Sequence, residues 1–319
     1  MVEITIACGD YDRTAALVNG TLPIEGVHYN YLPLTPAEIF WRQYKYEEFD
    51  VCEMSLSTYS VSLGLGDKRF CAIPVFPSRV FRHGNLYVRE DSDIQNPAQL
   101  KGRKIGVPEY EITAVVWIRG FLSDSFGVKP QDVEWVVGRE EKITIVPFNK
   151  SIKVIYKGAQ DLEQLLLTGE LDAVATAVIS KKLGHGIKRL IPNYFEAEKE
   201  YFKKTQAFPI MHTVVIKKSL CEKYPWLIRS LYKAFVRAKE MGDANMYRTN
   251  SLAYSIPWVI HDIEQTREIM GEDIWPYGIE KNRDTLTTFV RYLEEQSLTK
   301  GRLKIEDLFE PVQWTNQPV

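Results

Sequence analysis

Strand-like and helix-like segments alternate along this chain in two successive runs, and one strand-like segment returns after the second run. The first run reads EITIACG, DRTAALVNG, HYNYLPL, TPAEIFWRQYKYEEF, DVCEM and SLSTYSVSLGLG. In its second helix Thr35 takes the N-cap position and Pro36 the first helical position, while Ile39, Phe40 and Tyr44 recur at helical spacing. DVCEM is short and apolar enough to be a buried strand. The second run follows NLYVRE. It gives a strand at 104–107, a long helix in ITAVVWIRGFL, the strand VEWVVG, and a helix, turn and strand in DLEQLLLTGELDAVATA. FPIMHTVVIKKSL then returns as a strand, and the remaining third is helical and aromatic-rich. Such alternation implies mainly parallel sheets with helices on their faces. The segment 140–157, EKITIVPFNKSIKVIYKG, fits a hairpin or a loop insertion.

The length of 319 residues suits two lobes. NLYVRE and HTVVIKK are placed to connect one sheet system with the other. The expected division is therefore 1–90 with 212–319 as lobe 1, and 91–211 as lobe 2. Chain crossings of this kind act as hinge strands around a ligand cleft. The expected fold is thus an α/β, two-lobe, type II periplasmic-binding-protein-like fold. No GxGxxG or GxxxxGK[ST] occurs, so nucleotide binding has no local support.

Ligands of open α/β sheets gather at the carboxyl ends of strands, where helix N-termini offer free N–H groups to anions. The turns at 10–14, 54–58, 78–83 and 108–113 are expected to line that edge. They carry Arg13, Ser55, Ser57, Thr58, Glu109 and Thr113. Serine and threonine at such turns also serve as plain helix caps. The stretch AIPVFPSRVFRHGNLYVRE adds a compact cationic cluster of Arg79, Arg82 and His83 between two strand-like runs. Such a cluster repels itself unless an anion or acidic side chains neutralise it.

A net charge of −2 argues against a nucleic-acid partner. Cys8, Cys52, Cys71 and Cys221 form no CxxC pair, and most sit in apolar runs as small hydrophobes, a pattern that suits a reducing compartment. MVEITIACGDYDR enters a strand at once, with no leader pattern, so a cytoplasmic location is expected. No run approaches the ~18 apolar residues of a membrane span. Ser55 and Ser57 lack a Gly-x-Ser-x-Gly elbow, which disfavours a hydrolase triad. Trp275 begins WPYG, which reads as a structural turn with the option of closing over an aromatic ligand.

The segments DYDRTAAL, EFDVCEMSLSTY, FPSRVFRH, GVPEYEITAVVWIRG, FPIMHTVVI and WPYGIEKNRDTL together resemble the 4,5-dihydroxyphthalate decarboxylase family, in the same order and over nearly the whole chain. One stretch departs from it. After GELDA the family commonly continues with a small–Arg–small–Pro segment, whereas this chain reads VATAVISKKLGHG. The resemblance implies a decarboxylase of a hydroxylated aromatic dicarboxylate. Losing CO2 directly would leave electrons on a poor aryl carbanion. Protonating the ring carbon first, with a push from a para hydroxyl, avoids this. Such a site needs cations for two carboxylates, a base near the phenol and an acid near the ring carbon, and no organic cofactor.

Arg13, Arg79, Arg82 and Arg119 are candidates for the carboxylates, since guanidinium binds them bidentately. Arg119 lies two turns into a helix, where surface or inter-lobe packing is the commoner role. His83 and His212 are candidate acid–base groups. Glu109 is a candidate base or acceptor, or else a first-turn charge that favours the helix dipole. Ser55, Ser57 and Thr113 complete the expected substrate contacts. No metal site is expected from spacing, although His83, His212 and Glu109 could share a divalent ion in three dimensions. The expected partner is a small aromatic carboxylate, and a homo-oligomer stays open. The competing reading is a non-catalytic solute-binding or sensor protein for an aromatic acid. It needs the cations but no acid–base pair.

Overall fold

The computed structural model describes residues 1–141, 143 and 147–312. Its strands are β1 (Val2–Cys8), β2 (Val27–Pro33), β3 (Val51–Ser55), β4 (Phe70–Ile73), β5 (Leu86–Arg89), β6 (Lys104–Val107), β7 (Glu134–Val137), β8 (Lys153–Tyr156), β9 (Ala173–Ala175), β10 (Ile187–Arg189) and β11 (His212–Lys217). The helices are α1 (Ala15–Val18), α2 (Pro36–Tyr46), α3 (Leu56–Gly64), α4 (Thr113–Phe126), α5 (Leu162–Leu167), α6 (Tyr194–Thr205), α7 (Lys218–Lys223), α8 (Trp226–Met246), α9 (Val259–Met270), α10 (Arg283–Glu295) and α11 (Ile305–Leu308).

The strands form two sheets. The first has the order β2-β1-β3-β11-β4, and the second β10-β5-β9-β6-β7-β8. In the first sheet β1, β2 and β3 are parallel, and β11 inserts antiparallel between β3 and β4. The returning segment therefore enters the sheet of the first run. Leu86–Arg89 belongs to the second sheet, paired antiparallel to β9 and β10. This two-sheet α/β arrangement is the expected two-lobe fold.

Local chemistry explains where elements stop. The helix expected over DRTAALVNG shrinks to four residues. Asp12 Oδ1 accepts from the Arg13 amide, and Thr14 Oγ1 accepts from the Tyr11 amide while donating to the Gly9 carbonyl. These side chains hold a turn in place of a first helical turn. The strand expected over AIPVF ends at Ile73 because Pro74 has no N–H to offer the ladder. The segment 140–157 falls partly outside the described residues. Its end is β8, parallel to β7 at the edge of the second sheet.

Every residue of β3 is buried. The first ten residues of α4 are buried too, and the Trp117 indole donates to the Ile210 carbonyl just before β11. A helix that follows a strand of the second sheet is thereby fastened to the first. Gln296, past the end of α10, accepts from Arg119 Nε and donates to the Val116 carbonyl, closing the C-terminal helices over α4.

Helix α8 backs the loop after β1. A Cβ on Gly242 would stand 2.7 Å from the Asp12 carbonyl oxygen and 3.1 Å from the Arg13 amide nitrogen. Both are backbone atoms, so the loop itself has to move. Gly242→Ala is expected to lower stability by about 1–3 kcal/mol, as overpacking does. Urea denaturation checks this, and an unchanged midpoint would contradict the close packing.

Candidate active site

Three segments of the first sheet end at one rim: Gly9 after β1, Ser55 at the end of β3, and His212 at the start of the antiparallel β11. His212 pairs with Ser55 across the ladder. Glu53, two residues before Ser55, has no exposed surface. Its carboxylate accepts from His212 Nδ1 at 2.5 Å, the Tyr11 hydroxyl at 2.9 Å, the Gly9 amide at 2.9 Å and the Cys8 thiol at 3.4 Å. Because a carboxylate only accepts, Nδ1 of His212 carries the proton in that bond. Burial alone would push the Glu53 carboxyl up. The positive charge of His212, its hydrogen bond, the Gly9 amide and the Tyr11 hydroxyl outweigh that and hold it below the usual carboxylate range. Burial and the Glu53 charge in turn push the Tyr11 hydroxyl far up, so it stays protonated and donates.

Gly9 makes this arrangement sterically accessible. A Cβ there would lie 2.4–2.6 Å from the Tyr11 ring and hydroxyl, so the ring folds back over bare backbone to reach Glu53. The His212 ring is held on a further side by the edge-on ring of Phe40, with centroids 4.9 Å apart. Its Nε2 makes no hydrogen bond among the described residues.

Arg13 stands beside this pair. Its Nε donates to the Pro77 carbonyl at 2.5 Å and one terminal nitrogen pairs with Asp12 at 2.9 Å. The guanidinium lies between the rings of Tyr11 and Trp275, 4.2 and 4.3 Å from their centroids. Nη2 makes no hydrogen bond among the described residues. The WPYG turn thus supplies a stacking wall, fixed by the Trp275 indole donating to the Phe76 carbonyl. Arg82 approaches from the following loop. Its Nε contacts the Met211 sulfur at 3.4 Å and Nη1 donates to the Ala177 carbonyl at 2.8 Å. Ala177 belongs to the stretch that departs from the family pattern, and it bonds an arginine through backbone. Burial pushes Arg82 down to about 10, still a cation at neutral pH.

Ser55, Ser57 and Thr113 join the two sheets. Ser55 Oγ and Thr113 Oγ1 share a hydrogen bond of 2.9 Å, and Thr113 Oγ1 also accepts from the Ser57 amide at 3.0 Å. Ser55 caps α3 by accepting from the Thr58 amide, and Thr58 donates to Glu111 at 2.7 Å. The Ser57 hydroxyl is buried with no partner among the described residues.

The other expected site residues lie outside this group. Arg79 is buried and braces three segments, donating to the Pro276 and Phe208 carbonyls and to Asn282. Arg119 donates to Gln296 and to the Tyr110 carbonyl, and lies 3.8 Å from the Tyr110 ring centroid. Glu109 is buried and paired with Arg139 at 2.8 Å. His83 is 3% exposed, stacked on Phe121 at 4.2 Å and 3.9 Å from Glu198. Burial pushes His83 down to about 4 and Glu198 up to about 7. Among the described residues no three His, Cys, Asp or Glu side chains converge as a metal site, and no helix is long and apolar enough to cross a membrane.

Two sheets joined at their strand ends, with polar side chains facing the junction, define the class of two-lobe ligand-binding folds. The solved structures bear this out for the fold. The periplasmic aliphatic sulphonate binding protein of Escherichia coli superposes with a TM-score of 0.53 at 14% identity, covering 100% of this chain and 96% of that one. The ligand-binding component of an ABC-type import system from Staphylococcus aureus gives 0.52 at 10% identity, covering 98% and 97%. Sequence relatives are more specific. A 4,5-dihydroxyphthalate decarboxylase of Comamonas testosteroni is 37% identical over 320 residues, 97% of each chain. Another from Pseudomonas putida is 44% identical over 182 residues, 54% of this chain and 69% of that protein. No family model matches. The chain belongs to the 4,5-dihydroxyphthalate decarboxylase family.

The burial of His83 has a measurable consequence. Its pKa falls from 6.5 to about 4 on folding. Between those values the unfolded chain binds a proton that the folded chain refuses. The contribution to stability is therefore intact above about pH 6.5 and is lost as pH falls toward 4, a term of about 3 kcal/mol. Glu198 titrates near 7 with the opposite sign, in wild type and variant alike. His83→Phe is expected to lose less stability than wild type between pH 7 and 4.5, by roughly 2–3 kcal/mol in urea titrations. Equal losses would show that His83 takes up its proton freely in the folded state.

Proposed function

We propose that this chain decarboxylates 4,5-dihydroxyphthalate within a cleft between two lobes, one built on each sheet, with β5 (Leu86–Arg89), expected in the first lobe, belonging to the second. The observation that carries this reading is the Glu53–His212 pair, with Arg13 stacked on the Tyr11 ring that bonds Glu53 and Arg82 resting on Met211, the residue before His212. Cations alone serve binding, whereas a buried carboxylate–imidazole pair is suited to moving a proton. The decarboxylase relatives support the substrate.

In this reading Arg13 and Arg82 hold the two carboxylates. Ser55, Ser57 and Thr113 close the floor where the lobes meet. The hydroxyl para to the departing group gives its proton to solvent and pushes electrons into the ring, while the carboxyl-bearing carbon takes a proton from Nε2 of the His212 imidazolium, which solvent restores. The carbon–carboxylate bond then breaks, its electrons restore the aromatic ring, and CO2 leaves. The phenol regains a proton, so the net change is replacement of CO2 by one hydrogen. Arg79, Arg119 and Glu109 take bracing roles, because they are buried and bonded to other segments of the chain, and the one nitrogen each arginine leaves unpartnered, Arg79 Nε and Arg119 Nη1, is itself buried. His83, 3% exposed and stacked on Phe121 away from the Glu53–His212 pair, takes none in the proton transfer.

Reaction in heavy water is expected to give 3,4-dihydroxybenzoate with one deuterium at the former carboxyl carbon, read by mass spectrometry and NMR. Binding of the substrate without CO2 release would instead identify a solute-binding or sensor protein. Arg13→Ala is expected to weaken phthalate binding by about 1.5–3 kcal/mol, roughly ten- to 150-fold in Kd. Calorimetry giving equal affinity would put Arg13 outside the site.

A further inference from the structure

Proton transfer by His212 requires that the ring present one nitrogen reliably, and the surroundings of Glu53 are built for that. Strand β3 is buried along its whole length, so a carboxylate there is retained against a large desolvation cost. Oε1 receives His212 Nδ1 and the Tyr11 hydroxyl, and Oε2 receives the Gly9 amide and the Cys8 thiol. Both oxygens are thus occupied, and the group has no freedom to turn away from the imidazole. The ladder pairing of His212 with Ser55 fixes the backbone, and Phe40 fixes the ring edge. Nε2 is the ring atom left over.

We propose that Glu53 is a positioning residue that holds His212 with Nδ1 protonated and Nε2 as the atom exchanging a proton with the substrate, and that Tyr11 locks the carboxylate in that pose. This rests on the reading of His212 as the proton-transfer group. A carboxylate that merely filled a polar gap in the core would need neither a tyrosine folded over a glycine nor an imidazole partner reaching the rim. Tyr11 also lies against Arg13, so the element that locks Glu53 is the one that stacks the carboxylate-binding cation.

The test combines proton and nitrogen NMR of the histidine rings with steady-state kinetics on wild type, Glu53→Gln, Glu53→Asp and Tyr11→Phe. In wild type the His212 Nδ1 proton is expected far downfield and slow to exchange, with Nε2 the nitrogen that gains and loses a proton as the ring titrates. Glu53→Gln is expected to lose that resonance and to lower kcat by ~100-fold or more, with KM little changed because the arginines still hold the substrate. Tyr11→Phe keeps the carboxylate charge and is expected to shift the resonance with a smaller fall in kcat. Glu53→Asp, which keeps charge but shortens reach, is expected to recover part of the Glu53→Gln loss. An unchanged Nδ1 resonance in Glu53→Gln, or a loss appearing in KM alone, would overturn the proposal. Should Glu53→Gln fail to fold by circular dichroism, Tyr11→Phe decides: an unmoved resonance and an unmoved kcat overturn it. Wild type that releases no CO2 from 4,5-dihydroxyphthalate defeats the substrate reading, whereas the Nδ1 resonance still tests the Glu53–His212 geometry.

Discussion

A carboxylate with no exposed surface, set in a strand with no exposed residue, has to find all its partners inside the protein. Glu53 finds four, and each imposes a condition on the fold. The Gly9 amide and Cys8 thiol require β1 to end beside β3. The Tyr11 hydroxyl requires the β1–α1 loop to turn back on itself. His212 requires β11 to return antiparallel and start level with Ser55. Removing one partner of such a buried pair typically costs about 3–5 kcal/mol, so the rim is as much a product of this charge as a place for it.

Besides His212, the arginine and histidine groups of the rim and its surroundings divide by what already satisfies them. Arg79 and Arg119 bond carbonyls and amides from distant segments, hold the C-terminal helices to the sheets, and keep their one unpartnered nitrogen buried. His83 lies among aromatic rings and is kept neutral by burial. Arg13, stacked on Tyr11 and Trp275, and Arg82, resting on Met211, each leave Nη2 without a hydrogen bond among the described residues. The same side-chain chemistry therefore serves as brace in one place and, in the proposed function, as anion receptor in another. Thr113 extends the logic across the junction, since its single hydroxyl serves Ser55 at the end of β3 and the Ser57 amide in the first turn of α3 from the first turn of α4.

Much of this architecture is legible in the sequence because period and punctuation decide it. Pro36 starts α2, lysine and valine bound β6, and the run HTVVIK forms a strand whatever its neighbours. The segments carrying Arg13, Arg82, Ser55, Ser57, Thr113 and His212 do meet. What the sequence conceals is which polar groups find partners far along the chain. Arg79 and Arg82 sit three residues apart and look alike, yet Arg79 is committed to Asn282, 203 residues away. Glu53 and Tyr11 escape a reading that looks for charges on loops. Their signal is nonetheless present: a glutamate inside the apolar run VCEM is out of place in a buried strand, and a buried acid implies a donor nearby. The helix expected over DRTAALVNG fails for a local reason, the Asp12 and Thr14 side chains competing for the backbone.

The central claim is that the substrate's ring carbon meets His212 Nε2 while its carboxylates meet Arg13 and Arg82. Phthalate carries both carboxylates but lacks the hydroxyl that drives decarboxylation, so it stays intact in the site. A crystal structure of the phthalate complex tests the claim most directly. The account predicts the ring against Trp275 and Tyr11, one carboxylate on Arg13, the other on Arg82, and a carboxyl-bearing carbon within reach of His212 Nε2. Phthalate lodged instead in the apolar cavity of about 310 Å³ lined by Phe81, Phe202, Phe208 and Ile274, with His212 untouched, would contradict it.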